Sequence, residues 1–286
     1  MEELSLVDLT IILYVLAGIA VGFVASLIGI GGGFLMVPIL HFLFGLEMHS
    51  AIGTSLFTII FTSTSSSVEY ARKRIADILL GTTMVPFTIT GAIIGASIST
   101  TLPGNVLKAI FGIVLIIISV KMFLKNNSTD KSASQLNESF KVSPSKFLTL
   151  NRTAVHFNGT RYEYAVSIPL VGFFGFFAGL LSGLLGIGGG SIQVPVLTLV
   201  FGVPIHVAIA TSMFIIVFTS TFGMLTHLYT GNVLLAVGIF VAVGTIIGGQ
   251  IGARIAQKID KIKLRKIFAV LMIFAGIQMI ISIFSI

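Results

Sequence analysis

The sequence predicts an all-α membrane protein made of two inverted repeats. Three observations predict this fold: an apolar composition, an ungapped internal similarity, and a basic loop that changes place between the two halves. The 286 residues have a mean hydropathy of +1.08, and only 9% of them are charged. Since a soluble protein carries about 25% charged residues, most of this chain is expected to lie in lipid.

Eight mostly apolar windows of about 20 residues predict the long helices, because that length crosses ~30 Å of hydrocarbon. They cover residues 9–28, 49–68, 78–99, 103–120, 166–185, 205–228, 233–253 and 267–285. The N-terminus carries Glu2, Glu3 and Asp8 instead of the basic region of a signal peptide. The first helix is therefore expected to be retained.

Two glycine triplets interrupt the apolar sequence. Gly29-Ile30-Gly31-Gly32-Gly33 is followed by Val37-Pro38, and Gly186-Ile187-Gly188-Gly189-Gly190 is followed by Val194-Pro195. Each glycine weakens a helix by about 1 kcal/mol relative to alanine, so packing inside an apolar helix does not justify three in a row. Each triplet predicts a break in the helix at which the backbone itself must be exposed.

An internal duplication connects the two triplets. With an offset of 157 positions, residues 22–124 align without a gap on 179–281, and about half of the positions between 22 and 64 are identical. Each repeat is predicted to contain four long helices and one short glycine-broken helix. The short pieces, 34–44 and 191–201, reach only about 17 Å at 1.5 Å per residue. Matching short segments of this kind are typical of transporters whose substrate lies at the repeat interface.

The basic residues predict the orientation. Arg72-Lys73-Arg74 follow the third segment of the first repeat, whereas the corresponding loop 229–232 is uncharged. The second repeat instead carries Arg254, Lys258, Lys261, Lys263, Arg265 and Lys266 before its last helix. By the positive-inside rule the repeats are inverted, with both termini outside the plasma membrane. The net charge of +7 then reflects membrane topology and not nucleic-acid binding.

The sequence divides into a first transmembrane repeat (1–124), a polar cytoplasmic linker (125–165) and a second transmembrane repeat (166–286). Asn158-Gly159, with apolar and aromatic residues nearby, predicts a small cytoplasmic β-hairpin in the linker. The chain contains no cysteine, which excludes disulfides and thiol chemistry.

The glycine breaks predict an anion site. Without Cβ atoms their N–H groups can converge on a ligand, and the following short helix adds further unpaired N–H groups. Hydroxyls on the third helix of each repeat can solvate the same anion. The candidate substrate-binding residues are Gly31, Gly32, Gly33, Thr54, Ser55, Gly188, Gly189, Gly190, Gln193, Thr211 and Ser212. Alternatively, the glycines allow close helix crossing and the hydroxyls bond to helix carbonyls.

His49 and His206 begin equivalent helices and are candidates for gating or protonation, or alternatively for helix-end caps. Acidic residues avoid the apolar spans except near their predicted ends, at Glu47, Glu69 and Asp77. Since cation pumps use intramembrane carboxylates, this pattern favours an anionic substrate. The sequence carries no metal-binding or catalytic motif, so neither a cofactor nor enzymatic activity is expected.

The doubled motif G-I-G-G-G-x-x-x-V-P, each copy followed by G-x-x-x-H-x-A-x-x-T-S, resembles the TauE/SafE family of sulfite exporter-like permeases. The resemblance covers nearly the whole chain outside the linker. It implies a multi-pass plasma-membrane permease for sulfite, sulfonates or related organic anions. Alternating access between the repeats is the expected mechanism, with a passive anion channel or a cation or metal permease as the alternatives. A homo-oligomer is compatible with the sequence.

Overall fold

The computed structural model describes residues 2–124, 149–155, 161–256 and 261–283. The helices of the first half are α1 (Glu2–Ile28), α2 (Gly33–Pro38), α3 (Met48–Arg72), α4 (Ile78–Thr101) and α5 (Gly104–Leu124). Two strands follow, β1 (Thr149–Val155) and β2 (Arg161–Ser167). The helices of the second half are α6 (Ile168–Leu185), α7 (Gly190–Pro195), α8 (Ile205–Tyr229), α9 (Leu235–Ile255) and α10 (Lys261–Ile281). The short helices α2 and α7 each continue as one π-helical turn, Ile39–Leu43 and Val196–Val200.

The eight predicted windows fall on the eight long helices. Among the described residues, six helices (α1, α3, α4, α6, α8 and α9) are long and apolar enough to cross a membrane. The prediction of an almost entirely helical, multi-pass membrane protein is therefore confirmed. Local signals explain the helix starts: Asp77 caps α4 by accepting the Leu80 N–H at 3.1 Å, and Pro169 lies in the first turn of α6.

The two halves contain equivalent helices in the same order. Shifting α1–α5 by 157 positions gives α6–α10, and the equivalent helices α3 and α8 both have 25 residues. The halves also interlock, because α1 packs along α9 while its equivalent α6 packs along α4. Glycines allow these close crossings: a Cβ on Gly22 would lie 2.6 Å from Thr245 O, and one on Gly95 would lie 2.0 Å from Leu180 O.

Helices α3 and α8 are the most buried of the candidate spans, and they pack against each other. The start of α3 meets the end of α8, since a Cβ on Gly53 would lie 2.3 Å from Asn232 O and 3.1 Å from His227 Cβ. The equivalent helices α3 and α8 therefore run past each other in opposite directions.

Basic residues from both halves meet at one end of the helical bundle. Glu69 forms ion pairs with Lys73 at 3.2 Å and with Arg254 at 3.6 Å. The last turn of α3 and the last turn of α9 are therefore neighbours. We call this end, marked by Arg72–Arg74 and Arg254, the basic end.

The linker strands pair antiparallel, with Thr149 opposite Ser167 and Val155 opposite Arg161. The predicted turn at Asn158-Gly159 lies outside the described residues, as does the linker from 125 to 148. Strand β2 leads directly into α6 and buries Tyr164 and Val166. The Tyr164 hydroxyl donates to the Asp77 carboxylate, so β2 docks at the basic end.

Candidate functional site

The site begins at two chain breaks, residues 29–32 between α1 and α2 and residues 186–189 between α6 and α7. In the first break Gly29, Gly31 and Gly32 have φ angles of 78°, 85° and 94°. The equivalent Gly186, Gly188 and Gly189 have φ angles of 70°, 79° and 81°. Only glycine adopts this left-handed region without strain, which explains why the helices break at these positions.

Gly31 of the first break and Gly188 of the second break lie beside the middles of the central helices α3 and α8. A Cβ on Gly31 would lie 3.2 Å from Ile216 Cγ2 and 3.4 Å from Ile59 Cγ2. A Cβ on Gly188 would lie 3.2 Å from Ile59 Cγ2 and 3.3 Å from Ile216 Cγ2. The same two side chains therefore contact both breaks, so the structure brings the two triplets together in the middle of the bundle.

The last glycine of each triplet packs against the other break. A Cβ on Gly33 would lie 2.2 Å from Gly186 O, and a Cβ on Gly190 would lie 2.4 Å from Gly29 O. Real Cβ contacts are never this short, so only glycine fits at either position. For Gly33 and Gly190 the structure thus agrees with the alternative that the glycines allow close packing. Their packing is between the two halves, which the apolar sequence around them does not reveal.

Two serine hydroxyls hold the breaks in place. Ser55 Oγ donates to Gly186 O at 2.8 Å, and Ser212 Oγ donates to Gly29 O at 2.9 Å. Both serines are fully buried, and the two bonds are equivalent under the 157-residue offset. Each central helix therefore fixes the glycine break of the opposite half.

The neighbouring threonines act in the same reciprocal way. Thr54 Oγ1 accepts the Leu234 N–H at 3.0 Å, and Thr211 Oγ1 accepts the Asp77 N–H at 2.9 Å. These bonds fix the starts of α9 and α4. In this conformation the four predicted hydroxyls position backbone around the breaks, which agrees with the alternative that they bond to main-chain groups.

The backbone of the two breaks offers hydrogen-bond donors without acceptors. Among the described residues, none accepts a hydrogen bond from the N–H groups of Gly31–Gly33 or Gly188–Gly190. All six glycines are buried. Buried N–H groups in native proteins are almost always paired, so six unpaired ones in one region indicate a place for a ligand with acceptor oxygens or for water.

Gln193 is the only predicted site residue with an unpaired side chain in the described structure. It is fully buried in α7, and neither its Nε2 nor its Oε1 has a hydrogen-bond partner among the described residues. Its position in the first half is occupied by Met36.

The two predicted histidines lie at opposite ends of the bundle. His49, at the start of α3, has Nε2 2.9 Å from Leu102 O and so links α3 to the loop after α4. His206 is half-buried in the first turn of α8, towards the basic end. Each lies one helical turn before a residue that packs against a break, since a Cβ on Gly186 would lie 2.9 Å from Ile52 Cα and one on Gly29 would lie 3.0 Å from Ile209 Cα. Within the described ranges, no three His, Asp or Glu side chains converge as metal ligands.

One further pair of residues is found only in the structure. Tyr70 donates through its hydroxyl to Ser26 O at 2.8 Å, and His227 has Nε2 3.2 Å from Gly183 O. Both side chains are buried, and they occupy equivalent positions of the two halves. They hold the last turns of α1 and α6 just before the breaks. Sequence comparison of the halves missed this pair because the residue types differ, although the offset alone aligns the positions.

Comparison with known proteins shows similarity along almost the whole chain. Residues 14–279 match the family model described as "Sulfite exporter TauE/SafE". The chain is 34% identical over 279 residues to the "Probable membrane transporter protein YunE" of Bacillus subtilis (strain 168), covering 95% of this chain and 98% of that relative. It is 29% identical over 287 residues to the "Probable membrane transporter protein MJ0441" of Methanocaldococcus jannaschii, covering 94% and 95% of the two chains. No solved structure matches it.

Proposed function

The chain belongs to the TauE/SafE family, and from this premise we propose that it carries small anions across the membrane through the paired glycine breaks. Membrane transport as the general function follows from the family and from the relatives named as transporters. The observation that carries the proposal of an anionic substrate is the set of six buried glycine N–H groups without acceptors, Gly31–Gly33 and Gly188–Gly190. Converging N–H groups attract an anion without a fixed positive charge that would hinder its release.

Charge placement supports the same substrate class. The acidic residues Glu69 and Asp77 lie at the basic end, and Glu69 is already paired with Lys73 and Arg254. Both carboxylates therefore lie away from the centre of the breaks. A cation carrier would be expected to place a carboxylate beside its substrate inside the membrane. The family description names sulfite, so sulfite, sulfonates and related organic anions are the substrates proposed for this chain.

The proposed mechanism is alternating access between inverted repeats. The antiparallel crossing of α3 and α8, together with the meeting of Lys73 and Arg254 at one end, supports the inversion. One group of helices contains the packed pair α1 and α9, and the other contains the pair α6 and α4. Rocking of one group against the other would open the breaks to each side of the membrane in turn. The positive-inside rule then puts the basic end and the linker in the cytoplasm, with both termini outside the plasma membrane.

Counterflow in liposomes tests the carrier mechanism against the alternatives. We expect purified protein to exchange internal for external anion with saturation, in a panel of sulfite, thiosulfate, sulfonates and carboxylates. Ohmic current without acceleration by internal substrate would indicate a passive channel. Uptake of cations that is unaffected by every anion in the panel would indicate a cation or metal permease.

Alanine at the middle glycine of either triplet tests the role of the breaks. Gly32→Ala and Gly189→Ala introduce a side chain at φ 94° and 81°, a strain of about 1–2 kcal/mol that the fold should tolerate. Because alanine disfavours these positive φ angles, the substitution is expected to change the backbone conformation that presents the N–H groups to the anion. We expect transport to fall by at least tenfold while the variants elute and melt as folded protein. Full activity of both folded variants would remove the glycine breaks as the substrate site.

A further inference from the structure

Gln193 is a buried amide that has no counterpart in the first half. It is fully buried, and both polar atoms of its side chain lack partners among the described residues. Burying an amide without hydrogen bonds is unfavourable, and such groups in native proteins are normally satisfied by water or a ligand. The side-chain amide is therefore expected to form hydrogen bonds with water or with a ligand that enters the site.

The amide lies directly against the second glycine break. A Cβ on Gly189 would lie 3.1 Å from Gln193 Nε2 and 3.4 Å from Ser182 Cβ. Ser182 is also fully buried, and its hydroxyl has no partner in the described part of the chain. We call these three residues, Ser182, Gly189 and Gln193, the glutamine niche. It combines an amide, a hydroxyl and an unpaired backbone N–H at one place.

The equivalent region of the first half is apolar. A Cβ on Gly32 would lie 3.0 Å from Ala25 Cβ and 3.0 Å from Val21 Cγ1, and Met36 replaces the amide. Across the described residues, buried side chains with unpaired polar atoms concentrate in the second half. They are Ser182, Ser191, Gln193, Ser220 and His227, against Ser99 alone in the first half. The two halves therefore differ in their unpaired buried polar side chains, although their helices follow the same order.

We propose, resting on the anion transport proposed above, that the glutamine niche selects anions that carry a hydrogen-bond donor next to the anionic group. A primary amide presents an acceptor oxygen beside an NH₂ donor group. An anion with acceptors only would satisfy Gln193 Nε2 and leave Oε1 unpaired. A hydroxysulfonate, a hydroxycarboxylate or a singly protonated oxyanion satisfies both atoms. The fitting substrate class is thus an anion with a hydroxyl group.

Isosteric substrate pairs test this selection. The pairs are 2-hydroxyethanesulfonate with propanesulfonate, and glycolate with propionate, in which a hydroxyl replaces a methyl group of similar size. In full-length protein in liposomes, we expect a higher kcat/KM for the hydroxy member of each pair. Sites that hydrogen-bond a substrate hydroxyl discriminate strongly against the analogue that lacks it. Gln193→Met should lower the hydroxy-to-methyl ratio by about tenfold or more.

The two halves of the chain supply matched controls. Gln193→Met and Ser182→Ala introduce the residues that the first half already holds at Met36 and Ala25, so both variants are expected to fold. Ser182→Ala should lower the ratio less than Gln193→Met, by about threefold, because the amide remains. Met36→Leu, a change of similar volume in the first half, should leave the ratio unchanged.

An unchanged ratio in folded Gln193→Met protein would overturn the selection, and so would an equal loss of transport for both members of each pair. In either case anion transport by the wild-type protein would stand. Failure of the wild-type protein to exchange any anion would instead overturn the proposed function, and the selection with it. Anion exchange by the wild-type protein therefore distinguishes failure of the selection from failure of the proposed function.

Discussion

At the scale of single residues, two different physical reasons explain the glycines of one triplet. Gly31 and Gly32 adopt positive φ angles, whereas Gly33 lies where any Cβ would collide with Gly186 O. Gly31 faces the side chains of Ile59 and Ile216, which can move by a few tenths of an ångström. The triplet is thus a combination of backbone conformation and close packing, repeated in the second half of the chain.

Alanine at the last glycine of each triplet is expected to destabilise the protein itself. Gly33→Ala and Gly190→Ala would place a methyl group 2.2 Å and 2.4 Å from backbone carbonyl oxygens. Overpacking of this kind costs about 1–3 kcal/mol, so the melting temperature in detergent should fall. Gly104→Ala is the control, since its nearest neighbours would lie at 3.9 Å. Equal melting temperatures for all three variants would contradict the contact between the breaks.

At the scale of elements, hydrogen bonds from α3 and α8 position the breaks, some between the halves and some within one half. Ser55 and Ser212 each bond to the break of the other half, and Tyr70 and His227 bond to the helix turns that precede the breaks. These bonds join segments that are 44 to 183 positions apart. The short helices are consequently fixed by α3 and α8 as much as by the chain that leads into them.

The docking of β2 is a second element-scale contact, and it exists in one half only. Tyr164 donates to the buried Asp77 carboxylate, whereas the position equivalent to Asp77 is Leu234. Tyr164→Phe should weaken docking by about 1.5–3 kcal/mol, the range for a hydrogen bond to a charged group. Amide hydrogen exchange in 149–155 and 161–167 should then become faster. Tyr229→Phe, at a side chain that is 94% exposed, should leave exchange unchanged, and equal exchange in both variants would contradict the docking.

At the scale of the whole molecule, the direction of the helices determines which loops share one side of the membrane. The last turns of α3 and α9 meet through Glu69, and the end of α8 meets the start of α3 at the opposite end. The bundle therefore concentrates its described ion pairs at one end. The positive-inside rule relates such an uneven distribution of basic residues to the orientation of a protein in the membrane.

Single cysteines test this arrangement, since the chain has none of its own. Tyr229→Cys lies at the end opposite the basic end, and Arg254→Cys lies at the basic end, where the side chain of Arg254 is 59% exposed. In intact cells a membrane-impermeant maleimide should label Tyr229→Cys, and it should label Arg254→Cys only after permeabilisation. The reverse pattern would invert the proposed orientation. Labelling of both in intact cells would contradict their placement at opposite ends.

The sequence by itself determined the long helices, the duplication and the two breaks. These follow from local properties: about 20 apolar residues make a span, and consecutive glycines end a helix wherever they occur. The offset of 157 positions also predicted that both triplets belong to one site. The structure places the triplets side by side, and their role as a substrate site stays a prediction. The predicted turn of the linker falls outside the described residues, and the substrate remains a proposal.

Only the tertiary structure decided what each candidate residue contacts. Nothing local to Ser55 indicates a bond to Gly186, and nothing local to Gly33 indicates a carbonyl oxygen where its Cβ would be. The same holds for Gln193, whose unpaired amide is recognised only once its neighbours are known. Hydrogen bonding and packing depend on distances between segments that lie far apart in the chain. Hydropathy and glycine content are properties of neighbouring residues, and so they predicted the helices but not the contacts between them.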